Sequence, residues 1–436
     1  MKNKASPPQP WWLEWQFWLL IAVFIIGMGV IWLNQSTQNQ PTTVSPTFTP
    51  RVTYTRQKTA TLFTFSGCTV ESIVAPTEDQ TQESVKSLFK PVSDLDWMLG
   101  PKDAVVTVLV YNDFQCVPCA QLLQVLTSLQ KEFPQDVRIV YRHFTLSNHD
   151  KAVLAAQAAE AAGLQGKFWE MQDLLVVQQA NWSGLPTAGF ESWLVQQAAA
   201  LQLDPTQFST DLKSTSVVQK VADAEKEGLA INLPGVPMML INGILWQGPR
   251  DVNNLKTEVK LLQLEQRQFS GCPPAVIDVT KQYLATLQTD KGDILIQLYP
   301  DQAPLSVNSF VFLARHGWYD GVIFHTVIPG YMAQTGDPSG TGWGGPGYML
   351  NDELVSGLKF DQPGRVGMVN SRTPGSNNSQ FFITYKSQTD LNGKYTIFGQ
   401  VIKGMDVVKS LINRDPAKSG PFSAADQINK VTIEEK

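Results

Sequence analysis

Asp113-Phe114-Gln115-Cys116-Val117-Pro118-Cys119 is the stretch of sequence that decides the fold of the first half of the chain. It follows an apolar run at 104–111 and precedes a segment with apolar residues at helical spacing. A strand, a Cys-x-x-Cys motif and a helix in this order are typical of a redox-active dithiol. The unpaired N–H groups and partial positive charge at a helix N-terminus favour the thiolate form of Cys116. Cys119, in the first helical turn, is then placed to resolve a mixed disulfide.

The alternative interpretation of these two cysteines is one half of a metal site. A structural zinc ion needs four ligands, usually two pairs of Cys or His at short spacing. The sequence has no second pair at such a spacing, and it contains four histidines: His143, His149, His316 and His325. We therefore predict a redox-active Cys116–Cys119 pair, with no metal and no cofactor.

Length and composition set the broad class of the protein. At 436 residues the chain is too long for one ordinary domain, so two folded units are expected. Hydrophobic residues make up 43% of the chain, which is enough for packed cores. The net charge of −5 and the lack of a basic run argue against a nucleic-acid partner.

Residues 1–34 are predicted to be a short cytoplasmic tip and a single transmembrane helix that anchors the chain in the cell membrane. Phe17–Leu33 is a run of 17 uncharged residues, which as a helix spans about 25 Å. Tryptophans flank the run, and Lys2 and Lys4 precede it, which keeps the N-terminus in the cytoplasm. The alternative is a cleaved signal peptide, but the small-residue cleavage site is missing.

The rest of the chain is divided into a stalk, two domains and a linker. Residues 35–87 are rich in Thr, Ser, Gln and Pro, and they are predicted to be a flexible stalk that reaches on the order of 40 Å. Residues 88–268 and 282–436 are assigned to two folded domains outside the cytoplasm, and residues 269–281 to the linker between them.

The first folded domain is predicted to combine a sheet with a helical insertion. Two aliphatic runs, 104–111 and 137–141, have the composition of buried strands. Helical apolar spacing recurs in four segments: Lys151–Ala162, Phe168–Gln178, Phe190–Leu201 and Val217–Ala230. The stretch 235–243 contains a proline and ends on Asn-Gly, which predicts a hairpin. Met238 and Met239 are assigned to the core, and His143 and His149 to surface loops without a role.

These features together resemble the DsbA-like branch of the thioredoxin superfamily, over about residues 88–265. The shared motifs are Asp-Phe-x-Cys-x-x-Cys at 113–119, the helical insertion, and Gly-Val-Pro at 235–237 followed by Ile-Asn-Gly. The resemblance implies an α/β thioredoxin-like fold in which Cys116 attacks, Pro237 is cis and faces the dithiol, and a substrate backbone docks beside Val236. Pro118 stands where DsbA-type oxidants usually carry a histidine, so the couple should be less oxidising than that of DsbA.

The second folded domain is predicted to be an antiparallel barrel. A helix predicted at 251–268 ends before Pro273-Pro274. Tyr283–Thr289 and Gly292–Tyr299 alternate like strands, and the turn Asp290-Lys291-Gly292 joins them in a hairpin. A helix is predicted at 303–317. After it, glycine-rich turns separate short strands as far as the C-terminus, which suggests a closed antiparallel barrel.

Four blocks of this domain resemble cyclophilins, in family order over about residues 283–430. They are Phe-His-x-Val-Ile-Pro-Gly-Tyr-Met-x-Gln-x-Gly-Asp at 324–337, Gly-Met-Val-Asn at 367–370, Ser-Gln-Phe-Phe-Ile-Thr at 379–384 and Tyr-Thr-Ile-Phe-Gly at 395–399. The resemblance implies an eight-stranded barrel with peptidyl-prolyl cis-trans isomerase activity. It implies an apolar proline pocket of Tyr331, Met332, Phe382 and Leu391. It also implies further substrate contacts from Phe324, Gln334, Asn370, Gln380 and Tyr395.

Thr326 is the one site position that departs from the cyclophilin pattern. Rotation about an X–Pro bond must overcome a barrier of about 18–20 kcal/mol. Cyclophilins carry an arginine directly after Phe-His, and it donates to the prolyl nitrogen of the twisted amide. The short neutral hydroxyl of Thr326 cannot replace a guanidinium, so we predict a deficit of about 3 kcal/mol, roughly a hundredfold in rate. Arg372 is the alternative donor.

Cys68 and Cys272 each follow Ser-Gly, and they are predicted to form a structural disulfide because an exported protein favours pairing. The predicted function is that of a membrane-anchored, extracytoplasmic folding factor with an isomerase head and a disulfide-exchanging head. Its partners would be unfolded or partly folded exported polypeptides, with a membrane redox partner as a further candidate. The alternative is a proline-peptide-binding holdase with weak catalysis and a redox-active head. The direction of electron flow stays open.

Overall fold

The computed structural model describes residues 64–65, 67–70, 88–354, 357–370, 375–416, 418 and 424–436. The predicted anchor at 1–34 and most of the predicted stalk lie outside these ranges. Within the described ranges, every helix is too short or too polar to cross a bilayer.

A short hairpin is the first element described. β1 (Thr64–Phe65) and β2 (Cys68–Val70) pair antiparallel, and Gly67 between them has a φ of +93°, which favours glycine. The sequence analysis assigns these residues to an unstructured stalk. The structure differs at 64–70 because backbone pairing fixes the hairpin and Cys68 is buried.

The thioredoxin-like domain is built on a five-stranded sheet in the order β3-β5-β4-β6-β7. The strands are β3 (Trp97–Leu99), β4 (Val106–Asn112), β5 (Val137–His143), β6 (Met238–Ile241) and β7 (Ile244–Leu245). β4 and β5 run parallel, and the other pairings are antiparallel. The predicted Asn-Gly hairpin is confirmed, since β6 pairs with β7 and both turn residues have positive φ.

The described residues of this domain contain eight helices, which are interspersed with the strands along the chain. They are α1 (Val117–Glu132), α2 (Ala152–Leu164), α3 (Phe168–Val177), α4 (Gln179–Trp182), α5 (Thr187–Ala200), α6 (Pro205–Leu212), α7 (Thr215–Ala230) and α8 (Val252–Glu265). The prediction missed α6. Its start carries a readable signal, because Asp204 caps two backbone N–H groups and Pro205 is the first helical residue.

The core of this domain lies between the sheet and the helices. Alternating valines of β4 and the leucines of α1 are almost fully buried in it. The buried face of α2 is made of alanines, so neighbouring helices can approach it closely. Met238 and Met239 are buried, as predicted.

The second domain contains an antiparallel sheet in the order β10-β17-β8-β9-β16-β14-β15-β12-β11. Its strands, with β13 outside the sheet, are β8 (Tyr283–Thr289), β9 (Gly292–Leu298), β10 (Val322–Ile323), β11 (Thr326–Ile328), β12 (Met332–Thr335), β13 (Tyr348–Leu350), β14 (Arg365–Met368), β15 (Phe381–Thr384), β16 (Ile397–Lys403) and β17 (Gln427–Glu435). Two helices, α9 (Pro304–Arg315) and α10 (Met405–Ser410), complete the domain.

The sheet curls until both of its edges meet on one segment. β10 and β11 are the two ends of the strand order, yet both belong to residues 322–328. The first part of this segment pairs with β17, and the second part pairs with β12. The resemblance implies eight strands, whereas the described sheet has nine, because the segment 322–328 is broken into two strands.

Candidate functional site

The dithiol lies at the start of α1. Cys116 is the N-cap residue, Pro118 lies in the first turn, and the backbone N–H of Cys119 donates to the Cys116 sulfur at 3.3 Å. Cys116 and Cys119 form a disulfide. Cys116 is 6% exposed and Cys119 is fully buried, whereas Val117 between them is 58% exposed. The helix start therefore presents Cys116, rather than Cys119, on the side that substrates can approach.

The loop before β6 faces the dithiol. The Val236–Pro237 peptide bond is cis, and the Val236 carbonyl oxygen lies 3.9 Å from the Cys116 sulfur. β6 pairs with β4, the strand that leads into the motif, and this pairing brings the two loops together. The structure thus places Val236 and Pro237 beside Cys116, where the resemblance expects them.

A buried carboxylate supports the loop that carries Cys116, and the sequence analysis gave it no role. Asp113 is 1% exposed and accepts hydrogen bonds from the backbone N–H groups of Gln115 at 2.7 Å and Leu146 at 2.9 Å. Its second oxygen also lies 2.8 Å from Nδ1 of His149. His149, predicted to have no role, therefore holds the carboxylate that organises this loop. A carboxylate at the end of a buried strand requires such partners.

The prediction that His143 lies in a surface loop is wrong. His143 is in β5, 4% exposed, with Nε2 3.0 Å from Glu160 and its ring edge packed on Phe114 of the motif. Glu160 also accepts from Trp97 at 2.8 Å and pairs with Lys220 at 2.7 Å. Burial raises the pKa of Glu160, but the contacts with His143 and Lys220 outweigh burial and leave the pKa below its usual value. The cluster around the ionised Glu160 thus packs against the motif through His143 and Phe114.

The second site is a row of side chains on the outer face of the curled sheet. Thr326 in β11 pairs with Gln334 in β12, and Gln334 pairs with Phe382 in β15. Residues that lie directly opposite each other share a face, and so do residues two apart, such as Met332 and Gln334. The alternate residues Ala333 and Ile383 are fully buried in the core.

Apolar side chains form a cluster at this row. Phe382 stacks on Phe360 with ring centroids 5.5 Å apart and meets the edge of Tyr395 at 5.4 Å. The four predicted pocket residues, Tyr331, Met332, Phe382 and Leu391, all belong to this cluster, and so does Tyr395, which was predicted as a further substrate contact. Two buried members of the cluster, Phe360 and Ile397, were not predicted. Ile397 lies in the motif at 395–399, whereas Phe360 comes from a segment outside the motifs that only the fold brings to the cluster.

The polar residues of the row are held by their neighbours. Gln334 donates to Gln380 at 3.0 Å, and Gln380 in turn donates to the carbonyl oxygens of Gly342 and Gly344. Gln380 is 4% exposed and orients Gln334, and its contact with substrate stays a prediction. Asn370 donates to the Lys394 carbonyl oxygen at 2.9 Å and to Asp352 at 3.3 Å.

Comparison with known proteins identifies both domains. A family model for cyclophilin type peptidyl-prolyl cis-trans isomerase matches residues 284–433, and a model for thioredoxin matches residues 93–260. Peptidyl-prolyl cis-trans isomerase CYP18-1 of Arabidopsis thaliana is 45% identical over 154 residues, which are 34% of this chain and 94% of that protein. The chain belongs to the cyclophilin family.

Other cyclophilins match the same region. Peptidyl-prolyl cis-trans isomerase 10 of Caenorhabditis elegans is 48% identical over 132 residues, which are 29% of this chain and 80% of that protein. A crystal structure of a cyclophilin type isomerase from Cryptosporidium parvum is 35% identical and covers 35% of this chain and 98% of its own, with a TM-score of 0.33. The protein is thus a fusion of a thioredoxin-like domain with a cyclophilin domain.

The structure corrects the prediction for one residue of the cyclophilin site, and a second residue lies outside the described ranges. Phe324 is fully buried among the core residues inside the sheet, so it supports the pocket from within and does not line it. Arg372, the alternative donor, lies outside the described residues. Arg414 does not replace it, because Arg414 pairs with the inward-facing Val327 and so lies on the opposite face from Thr326.

His325 precedes Thr326 and points into the cyclophilin domain. Neither ring nitrogen has a hydrogen-bond partner among the described residues. Burial lowers the pKa of His325 to about 4, with Arg414 lowering it further and Asp337 opposing the shift. The folded protein thus holds this imidazole neutral at pH values where the unfolded chain protonates it.

This difference predicts a loss of stability in acid. Because the unfolded state binds the proton more tightly, the His325 contribution falls as the pH drops from about 6.5 to about 4, by about 3 kcal/mol in all. We expect His325→Gln to flatten the free energy of unfolding over this range in urea titrations at several pH values. The exposed His316, changed to Gln, is the matched control, since it leaves His325 in place. An equally steep profile in His325→Gln would contradict the assignment.

Proposed function

We propose that this protein is a membrane-anchored folding factor outside the cytoplasm, in which a DsbA-like head exchanges disulfides and the cyclophilin head isomerises X–Pro bonds. One observation supports the proposal: in each domain, the residues expected to react with a client or to bind it lie next to one another. Cys116 lies beside Val236 and Pro237, and the apolar cluster around Phe382 lies beside Gln334. Disulfide formation and proline isomerisation are both slow steps in the folding of exported chains.

The redox head would act through a mixed disulfide. A thiolate of the client attacks the Cys116 sulfur, the Cys116–Cys119 bond breaks, and Cys119 leaves as a thiolate. A second client thiolate then attacks the client sulfur of the mixed disulfide and releases Cys116. The client gains one disulfide, and its two electrons and two protons pass to Cys116 and Cys119. The same steps run in reverse for a reductase, and a membrane redox partner would then set the direction.

The cyclophilin head would hold the proline ring in the cluster of Tyr331, Met332, Phe382 and Leu391. Gln334 and Asn370 would bind the backbone on either side of the ring. The pocket would hold the ring still while the flanking backbone turns, and a donor to the prolyl nitrogen would stabilise the twisted amide relative to the planar one. A single tether to the predicted anchor would raise the concentration of both heads at one client.

A second candidate function is a holdase that binds proline segments without isomerising them. Thr326 favours it, because the described residues place no guanidinium on the outer face at that position. The intact dithiol favours the enzyme instead.

The test is a pair of assays on the purified full chain. Isomerisation of a proline tetrapeptide measures one head, and disulfide formation in a reduced, unfolded protein measures the other. We expect turnover in both, with slow isomerisation. Binding of the tetrapeptide without turnover would support the holdase, and the absence of disulfide exchange would remove the DsbA-like role. The reduction potential of the Cys116–Cys119 pair would then show the direction of electron flow.

A further inference from the structure

A disulfide fastens the hairpin of β1 and β2 to the cyclophilin domain. Cys68 in β2 is bonded to Cys272, which lies 204 residues later in the segment after α8. Cys68 is 4% exposed, whereas Cys272 is half-buried and packs against the core of the sheet. Solvent therefore reaches the Cys272 residue of this disulfide more readily than the Cys68 residue.

The hairpin lies along one edge of β13. Cys68, Thr69 and Val70 of β2 pair with Leu350, Met349 and Tyr348 of β13. The next residue of the chain, Asn351, donates its backbone N–H to the Gly67 carbonyl oxygen at 2.7 Å. On the other edge of β13, Leu350 pairs with Asn377. β13 is thus held between the hairpin and Asn377.

Asp352, directly after Asn351, connects this strand to the isomerase site. Its carboxylate accepts hydrogen bonds from the side-chain amides of Asn370 at 3.3 Å and Asn377 at 3.0 Å. It also accepts one from the backbone N–H of Gly375 at 3.1 Å. Asn370 is the residue expected to bind the substrate backbone. The Asn370 amide is therefore oriented by Asp352 together with the Lys394 carbonyl oxygen, to which it donates at 2.9 Å. Asp352 directly follows the residue that contacts the hairpin.

We propose that the Cys68–Cys272 disulfide controls the cyclophilin site: it holds the hairpin on β13, this pairing positions Asp352, and Asp352 orients Asn370 toward the peptide. Asp352 acts through Asn370 and is a positioning residue. Strands of two and three residues pair only marginally in water, so the covalent bond is what keeps the hairpin on its edge. A dithiol reductant would open the bridge. It would be oxidised to its own disulfide, and Cys68 and Cys272 would take up two electrons and two protons.

The inference rests on the isomerase activity proposed above, so its test measures binding as well as turnover. The full chain carrying Cys116→Ser and Cys119→Ser leaves one bridge for dithiothreitol to open. Alkylation followed by mass measurement counts the free thiols. With the bridge open, we expect kcat/KM for a proline tetrapeptide to fall about tenfold, mainly through a higher KM, and the peptide Kd to rise by a similar factor.

Three further variants separate positioning from a general loss of structure. Asp352→Asn keeps the shape of the side chain but replaces the carboxylate, so it should raise KM with the bridge closed and abolish the response to dithiothreitol. Gly67→Ala should raise KM with the bridge intact, because Gly67 has a φ of +93°, where an L side chain is strained, and the terminal methyl group of Leu305 would have to move away from the added Cβ. Cys68→Ser with Cys272→Ser should give a high KM that dithiothreitol does not change.

The proposal would be overturned if KM and Kd stayed unchanged in protein whose two alkylated thiols show that the bridge is open. Opening the bridge could also unfold the domain, which would be seen as a thermal transition below the assay temperature. In that case the Asp352→Asn variant with the bridge closed is the deciding test. An unchanged KM in this variant would overturn the proposal. If the closed protein binds the peptide without turnover, the proposed isomerase function fails, while the change in Kd still tests the control by the disulfide.

Discussion

Replacing Cys116 by serine is expected to abolish disulfide exchange, with a loss of more than about a thousandfold in rate. Cys116 caps α1, receives the N–H of Cys119 and lies beside Val236, where a client backbone would dock. A serine hydroxyl at this position cannot form the mixed disulfide. The rate of disulfide formation in a reduced, unfolded test protein measures the loss.

Cys119→Ser should behave differently from Cys116→Ser. Its Cys116 thiolate can still attack a disulfide of an oxidised client and release one client sulfur as a thiolate, but the resolving thiol is gone, so mixed disulfides with the client should accumulate and appear as adducts on non-reducing gels. In the reduced wild type, Cys116 should be alkylated faster than the fully buried Cys119. Cys68→Ser with Cys272→Ser is the matched control, since it removes a disulfide and keeps the dithiol. Equal alkylation of both thiols, or an active Cys116→Ser protein, would contradict the assignment.

The second large effect is expected from Thr326→Arg, which should raise the isomerase rate about a hundredfold. Thr326 is half-buried and faces the same side of the sheet as Gln334 and Phe382, so an arginine there would extend over the pocket. Its guanidinium would bind the twisted amide of the transition state more strongly than the planar amide of the ground state. The gain should therefore appear in kcat, with little change in peptide affinity.

Two control variants sharpen this result. Thr326→Lys supplies a charge without the planar fork of donors, so its gain should be smaller than that of Thr326→Arg. Arg372→Ala tests the alternative donor. If Arg372 already donates, the wild type should be fast, Arg372→Ala should slow it, and Thr326→Arg should add little. A fast wild type that responds to neither change would mean that this account of the site is wrong.

Local sequence patterns were sufficient for most of the fold. The buried strand β4, the amphipathic α1 and the hairpin at Asn242-Gly243 follow from hydrophobic spacing and turn chemistry, and the structure has them. The hairpin at 64–70 was missed, because its partner β13 is far away in sequence. No local pattern marks a three-residue strand that is stabilised by a distant edge and a disulfide.

The same distinction holds for the sites. Tyr331, Met332 and Phe382 come from motifs, Leu391 is implied by the resemblance, and the structure brings all four together. Phe360 and Asp352 were missed because their roles depend on contacts with segments that are distant in the chain. Phe324 lies in a motif as well, but it falls between β10 and β11, and the break between these strands leaves its side chain in the core. A motif identifies the segment, and only the pairing register decides which face each residue takes.

The central claim is that two independent heads act on one class of client. The most direct measurement follows the refolding of a reduced client that needs one disulfide and one slow X–Pro isomerisation, which takes about 10–100 s without help. The account predicts that the full chain accelerates both phases. Cys116→Ser should lose only the disulfide phase, and Phe382→Ala only the proline phase. Acceleration of neither phase by the wild type, or the loss of both phases in each variant, would contradict the claim.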